Sequence, residues 1–239
     1  MSVSLATALI TGGTGQLGRV VAARFLSEGF RVAVTFREPR EWALLAAAEA
    51  EASGSGRLLG IRADVTDHAS MGSAVDECLR AFGSIRVLLH LAGGYAGGTP
   101  VESLDERVVR GMIDLNLVSA FWAAKHALPS IKAAGSGRLL FVSSRGAIEA
   151  YPGAAPYAAA KAGLHALVAT LAKELRGSGA TANAILPSII DTPANRAAMP
   201  DAKHRDWVPP EAVASLLSYL ASEAAASTSG ALVPIYGSA

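Results

Sequence analysis

Ala6-Thr7-Ala8-Leu9-Ile10-Thr11-Gly12-Gly13-Thr14-Gly15-Gln16-Leu17-Gly18-Arg19-Val20-Val21-Ala22-Ala23-Arg24-Phe25 decides the fold. Residues 6–10 are uncharged and largely apolar, which reads as a buried strand. Residues 17–27 carry apolar side chains at helical spacing. Between them Gly13, Gly15 and Gly18 fit the G-x-G-x-x-G pattern in the context it requires, after a strand and at the opening of a helix. One glycine permits a tight turn, one lets backbone approach a pyrophosphate, and the last packs helix on strand. The helix start offers unpaired N–H groups and partial positive charge to phosphate. The stretch therefore predicts a dinucleotide cradle built from Gly12, Thr14, Gly15, Gln16 and Leu17.

Working outward, apolar runs of strand length alternate with helical patterns along the whole chain. Strands are predicted at 6–10, 31–36, 58–62, 87–91, 138–142, 181–186 and 231–235. Helices are predicted at 17–27, 40–52, 69–82, 104–133, 157–175 and 210–220, the fourth broken near Asn116. Continuously apolar strands joined by helices mean a sheet covered on both faces. The expected architecture is a doubly wound α/β Rossmann fold, a seven-stranded, mainly parallel sheet forming one domain over 1–239. Residues 53–56 are a polar turn inside a crossover.

Composition narrows the class. With 21 basic and 20 acidic residues the net charge is +1, so no field favours nucleic acid or an anionic membrane surface. The one cysteine, Cys78, excludes an internal disulfide and fits a reducing cytoplasm. Residues 1–10 lack a basic start, lead straight into the glycine-rich turn and read as a first strand, not as a signal peptide. No uncharged apolar run reaches the ~18 residues that suggest a membrane span. The five histidines are scattered, so no metal is expected.

Ligands of such sheets lie at the carboxyl ends of the strands. The second strand ends in Phe36-Arg37, and an arginine there favours a 2′-phosphate, hence NADP(H); Glu38 keeps NAD(H) open through the ribose hydroxyls. Asp64-Val65 ends the third strand, with Asp64 placed either to accept from the adenine amino group or to order the turn while Asp67 caps the next helix. Ala92-Gly93-Gly94 follows the fourth, where missing side chains let a cofactor lie against backbone.

Tyr157 and Lys161 are four residues apart in a helical pattern and share a face. A cation in hydrogen-bonding range lowers a phenol's pKa by ~1–3 units, poising Tyr157 to exchange a proton with a carbonyl oxygen as hydride moves. Ser144, thirteen residues earlier at the end of the fifth strand, can hold that oxygen. Asn116 can bind a water linking Lys161 to solvent, or simply kink the backbone.

These pieces together resemble the short-chain dehydrogenase/reductase family over the whole chain. They are the glycine turn at 12–18, Asp64-Val65, Ala92-Gly93, Asn116, Ser144, Tyr157, Lys161, and Asn183-Ala184-Ile185-Leu186-Pro187 running to Asp191-Thr192-Pro193, with 230–237 as the last strand. The resemblance implies a catalytic tetrad of Asn116, Ser144, Tyr157 and Lys161. It implies that Lys161 bonds the nicotinamide ribose, and that Pro187, Ile190 and Thr192 line the nicotinamide end. Three positions depart from the family pattern: Gln16 replaces a glycine, His90-Leu91 stands where an asparagine is usual, and Pro187-Ser188 replaces Pro-Gly.

A narrower likeness, to quinonoid dihydropteridine reductase, runs through 12–18, through 93–98, and through 186–207 with Asn195, Arg196, Met199, Pro200 and Trp207. It implies that Tyr95 faces a flat heterocycle. A substrate lid is expected at 193–207, suited to a small substrate, with Tyr95, Tyr151, Ser188 and Met199 facing it. The helix at 157–175 is apolar nearly all round, and Phe121 and Trp122 lie on the preceding one, so a homotetramer, or else a homodimer, is expected. The competing class is a non-catalytic dinucleotide sensor, against which the retained Asn116, Ser144, Tyr157 and Lys161 argue.

Overall fold

A computed structural model describes residues 5–238; residues 1–4 of the expected first strand and the terminal residue 239 lie outside the described residues. Seven strands, β1 (Thr7–Thr11), β2 (Arg31–Phe36), β3 (Leu58–Arg62), β4 (Val87–His90), β5 (Arg138–Val142), β6 (Thr181–Pro187) and β7 (Leu232–Ile235), form one sheet in the order β3-β2-β1-β4-β5-β6-β7. Every neighbouring pair is parallel. The central strands β1, β4 and β6 are buried along their whole length, while β7 at one edge is only half-buried. Continuous apolar composition in the middle follows from that two-sided burial.

The helices are α1 (Gln16–Ser27), α2 (Pro39–Ala48), α3 (Ala50–Gly54), α4 (His68–Phe82), α5 (Glu106–Ile113), α6 (Ser119–Ala133), α7 (Gly146–Glu149), α8 (Ala155–Glu174), α9 (Pro193–Ala198) and α10 (Pro210–Ala221). One core, with Met71, Cys78, Ile131 and Leu164, joins the sheet to α4, α6 and α8. The other, with Phe25, Leu45 and Leu217, joins its opposite face to α1, α2 and α10. Between β1 and β4 the chain switches direction across the sheet, and Thr11 pairs in register with His90 at the carboxyl ends. That is where a crevice opens.

Several boundaries differ from the sequence expectation. The helix expected at 157–175 begins at Ala155, with Pro156 in its first turn, where a missing N–H costs nothing. The helix at 40–52 divides at Glu49, whose φ of −111° and ψ of 46° are not helical. The break near Asn116 is a π-helical turn, Asp114–Val118, between α5 and α6. The short α9 was not foreseen. Among the described residues no helix is long and apolar enough to cross a membrane, and no group of side chains could hold a metal.

Candidate active site

The cradle begins where β1 meets α1. Gly12, with φ at +67°, makes the tight turn, and its carbonyl accepts from Gly15 N at 3.1 Å. A Cβ on Gly18 would lie 2.2 Å from the Gly12 carbonyl oxygen and 2.7 Å from Gly13 Cα, so helix and turn touch backbone to backbone. No side chain caps α1, leaving its first N–H groups to a ligand. Above lies a cavity of about 420 Å³, walled by Gly12, Thr14, Gly15, Gln16, Leu17, Arg37, Asp64, Val65, Ala92 and Gly93 among others. An open helix terminus, a backbone floor that admits no Cβ and this volume fit the adenosine and pyrophosphate of a nicotinamide dinucleotide. The Asp64 carboxylate accepts from the Thr66 N–H at 2.9 Å and the Thr66 hydroxyl at 2.7 Å, so it orders the turn while still lining the cavity. Those bonds, aided by Arg37, hold its pKa below the usual carboxylate range. Asp67 caps α4 by accepting from Ser70 N.

A second cavity of about 530 Å³ adjoins the first, sharing Leu17, Leu91 and Gly93. Asn116, Ser144, Tyr157 and Lys161 all line it, with Gly94, Tyr95, Tyr151, Pro187, Ser188, Ile190 and Met199. The structure therefore brings the whole expected constellation to one cavity. The Ser144 hydroxyl lies beside the Tyr157 phenol and accepts from Gly146 N at 3.0 Å. Tyr95 stands edge-on to Tyr157, ring centres 5.1 Å apart. A Cβ on Gly93 would lie 2.9 Å from Asn116 Oδ1 and 3.2 Å from Lys161 Nζ, so a glycine there keeps these polar heads together.

One expectation needs correction. Lys161 does not lower Tyr157 here: burial pushes the phenol up, the Ser144 hydroxyl opposes it, and the phenols of Tyr95 and Tyr151 push it up further. The lysine is itself buried, donates to Val142 O at 2.8 Å, and is pushed down to about 8 by desolvation. Both groups are thus biased toward neutrality. Asn116 spends its amide on backbone: Nδ2 donates to Gly94 O and Met112 O, each at 3.0 Å, and Oδ1 accepts from Gly94 N at 3.1 Å. It clamps the loop after β4 across the π turn, the backbone break that was one of the two readings of Asn116.

Other side chains have duties that the sequence reading missed. The Thr14 hydroxyl donates to Glu41 at 3.0 Å, which adds an unforeseen carboxylate to the cofactor cavity. Gln16 Oε1 accepts from Ala194 N at 3.1 Å, tying cradle to α9. Thr192 is in neither cavity wall; its hydroxyl caps α9 by accepting from Asn195 N. The Ser188 hydroxyl donates to Tyr236 O at 2.8 Å. Arg145, next to Ser144, also lines the second cavity and pairs with Glu149 at 2.7 Å.

Against known proteins, a model of the family described as short chain dehydrogenase matches residues 6–203. The chain belongs to that family. A 2-dehydro-3-deoxy-L-rhamnonate dehydrogenase (NAD(+)) of Sphingomonas sp. is 33% identical over 190 residues, covering 78% of this chain and 72% of that protein. The 3-oxoacyl-[acyl-carrier-protein] reductase MabA of Mycobacterium tuberculosis is 32% identical, covering 96% and 90%. The solved short-chain dehydrogenase/reductase of Serratia marcescens is 29% identical, with a TM-score of 0.89 and 98% of each chain covered. The protein is accordingly a short-chain oxidoreductase acting on a CH–OH/C=O pair with a nicotinamide cofactor.

Proposed function

We propose that this short-chain dehydrogenase interconverts a small carbonyl/alcohol pair, with NADP(H) favoured as cofactor and Tyr157 as the proton-transfer group. One observation carries the reading: Tyr157, Ser144, Asn116 and Lys161 line one cavity, and that cavity adjoins the glycine cradle through Leu17, Leu91 and Gly93. The nicotinamide, when bound, supplies or takes the hydride. The chain's own part is the proton. Ser144 Oγ holds the carbonyl oxygen, and Tyr157 Oη, kept protonated by burial, donates to it. Lys161 Nζ, poised at about 8, can restore that proton near neutral pH.

Arg37 on the cofactor cavity supports NADP(H). Glu38 and Glu41 on the same wall support NAD(H) as the alternative, which is also the cofactor in the Sphingomonas relative's name. Residues 193–207 act as the lid, with Asn195 and Met199 facing the substrate cavity. Exposed Phe121 on α6, with Ala159, Ala162 and Ala166 on α8, supports a homotetramer, or a homodimer, of single-domain protomers. Buried, unbridged Cys78 fits the cytoplasm. A second reading, a flat heterocycle as in dihydropteridine reductase, is favoured by Tyr95, a residue 64% exposed whose ring stands beside Tyr157.

The test follows NADPH and NADH oxidation with cyclohexanone, 4-oxocyclohexanecarboxylate, ethyl acetoacetate and quinonoid dihydropterin. Tyr157→Phe should cost about 10²–10⁴ in turnover and leave NADPH affinity intact. Undiminished turnover in the variant would remove Tyr157 from its role, and dinucleotide binding without turnover of any compound favours a sensor.

A further inference from the structure

We propose that His90 is a positioning residue: as a neutral imidazole with its hydrogen on Nε2, it holds the π turn that seats Asn116. The inference rests on the catalytic reading of Asn116 and Lys161 above.

His90 ends β4 beside Thr11 at the end of β1 and is 1% exposed. Its Nδ1 lies 2.9 Å from Thr11 Oγ1 and its Nε2 lies 3.1 Å from Ser119 Oγ. The neighbours fix the tautomer. The Ser119 hydroxyl donates to Leu115 O at 2.6 Å, so toward the ring its oxygen accepts and Nε2 carries the hydrogen. Nδ1 then accepts from the Thr11 hydroxyl, whose oxygen in turn accepts from Ala92 N at 3.4 Å. A directed chain therefore runs from the Ala92 N–H through Thr11, His90 and Ser119 to the Leu115 carbonyl. Reversing it would take the Ser119 hydrogen away from the Leu115 carbonyl, which it bonds at 2.6 Å. Burial, reinforced by the charge of Lys161, holds the ring's pKa at about 3, so it stays neutral.

The far end of this chain explains what it does. In a continuous α-helix the Ser119 N–H would bond Leu115 O. Here it bonds Asp114 O instead, the π pattern. The Ser119 hydroxyl takes up Leu115 O in place of that N–H. His90 orients the hydroxyl and thereby favours the π register over the α register. Asn116 sits in this turn, and its clamp on Gly94 holds the loop next to Gly93, which lines both cavities. The Ala92 end of the chain lies in the cofactor wall.

The two ring nitrogens can be separated by substitution. An asparagine amide reaches about as far as Nδ1 and keeps Thr11; a glutamine amide reaches about as far as Nε2 and keeps Ser119. His90→Asn, His90→Gln and Ser119→Ala would be made in the full chain. Three quantities are read: NADPH affinity by fluorescence, turnover of cyclohexanone or of whichever panel ketone is fastest, and hydrogen–deuterium exchange over residues 112–119. His90→Asn and Ser119→Ala should speed exchange there about tenfold or more. They should lower kcat by about tenfold with NADPH affinity kept within about threefold, as expected where only the catalytic wall is disturbed. His90→Gln should stay within about threefold of the wild type throughout, and combining His90→Asn with Ser119→Ala should add nothing to either alone. Wild-type exchange and kcat in His90→Asn would overturn the proposal. Equal losses in His90→Asn and His90→Gln would also overturn it, marking a space-filling role. Should the His90 variants not fold, Ser119→Ala removes the same bond from the other end and decides alone. Tyr157→Phe runs alongside: its retention of turnover would sink the catalytic reading, while the exchange arms would still decide whether His90 holds the π turn.

Discussion

Lys161 should make the ligand-free protein more stable as pH rises from 7 to 9. It is 5% exposed, and burial holds it at about 8 against an ordinary value of 10.5. Because the folded value lies below the unfolded one, the unfolded chain binds more protons between the two, and stability climbs with pH through that window. Below pH 8 both states carry the charge and the folded state bears the full desolvation cost. Integrating over the two values gives a gain of about 1.4 kcal/mol between pH 7 and 9, reaching about 3 kcal/mol by pH 10.5. In a protein of this size that first gain raises Tm by roughly 3–5 °C. Tyr157 works the other way, since a raised phenol loses stability as pH rises, but only above its ordinary value of 10.0. Urea unfolding at pH 7, 8 and 9, for wild type and Lys161→Met, isolates the lysine as the difference between two curves. Parallel curves would show that the ammonium finds water or a counter-charge, and the reasoning from burial would fail. A difference of the opposite sign would mean that the folded state raises the lysine's pKa.

Gly18→Ala forces a Cβ onto the Gly12 carbonyl; it should cost about 1–3 kcal/mol of stability and weaken NADPH binding at least tenfold, measured by fluorescence titration. Gly111→Ala on α5, where a Cβ meets nothing within 4 Å, should instead stabilise by up to about 1 kcal/mol. If the two variants behave alike, the close approach of turn and helix is not real. Gln16→Ala frees Ala194 N from the cradle and should speed NADPH dissociation by about 2–12-fold in stopped flow; an unchanged rate would mean the tie does not hold α9. Arg37→Ala should weaken NADPH about tenfold or more and leave NADH unaffected, and equal effects on both would reassign the arginine.

The strands and the cradle were legible because buried parallel strands are continuously apolar and the glycine spacing sits between a strand and a helix. The break near Asn116 was legible as a break, but its π character was not, because one extra residue in a turn leaves the composition unchanged. Four-residue spacing told that Tyr157 and Lys161 share a helix face. It could not tell how deeply the lysine is buried or that Val142 O awaits it, because β5 and α8 meet only in the folded protein. Nor could it tell that the phenol is itself buried beside Tyr95 and Tyr151, so the direction of its shift was misread. Contacts between distant segments were likewise out of reach: Gln16 meets Ala194 178 residues away, and His90 meets Thr11 79 residues away. His90 and Gln16 stood out only as departures from the family pattern, which flags a position without naming its partner.

The π turn also turns residue count into a structural quantity. Each helical residue advances the side-chain direction by about 100°, so one surplus residue offsets all of α6 by that angle. Removing any one residue from Asp114–Val118 would keep the segment's hydrophobic character, yet it would roll α6 by more than a quarter turn. Ala123 and Ala127, now against the sheet, would rotate off it, and exposed Phe121 would swing toward a neighbour not shaped for it. Anyone grafting or shortening this stretch should therefore conserve its length before its letters.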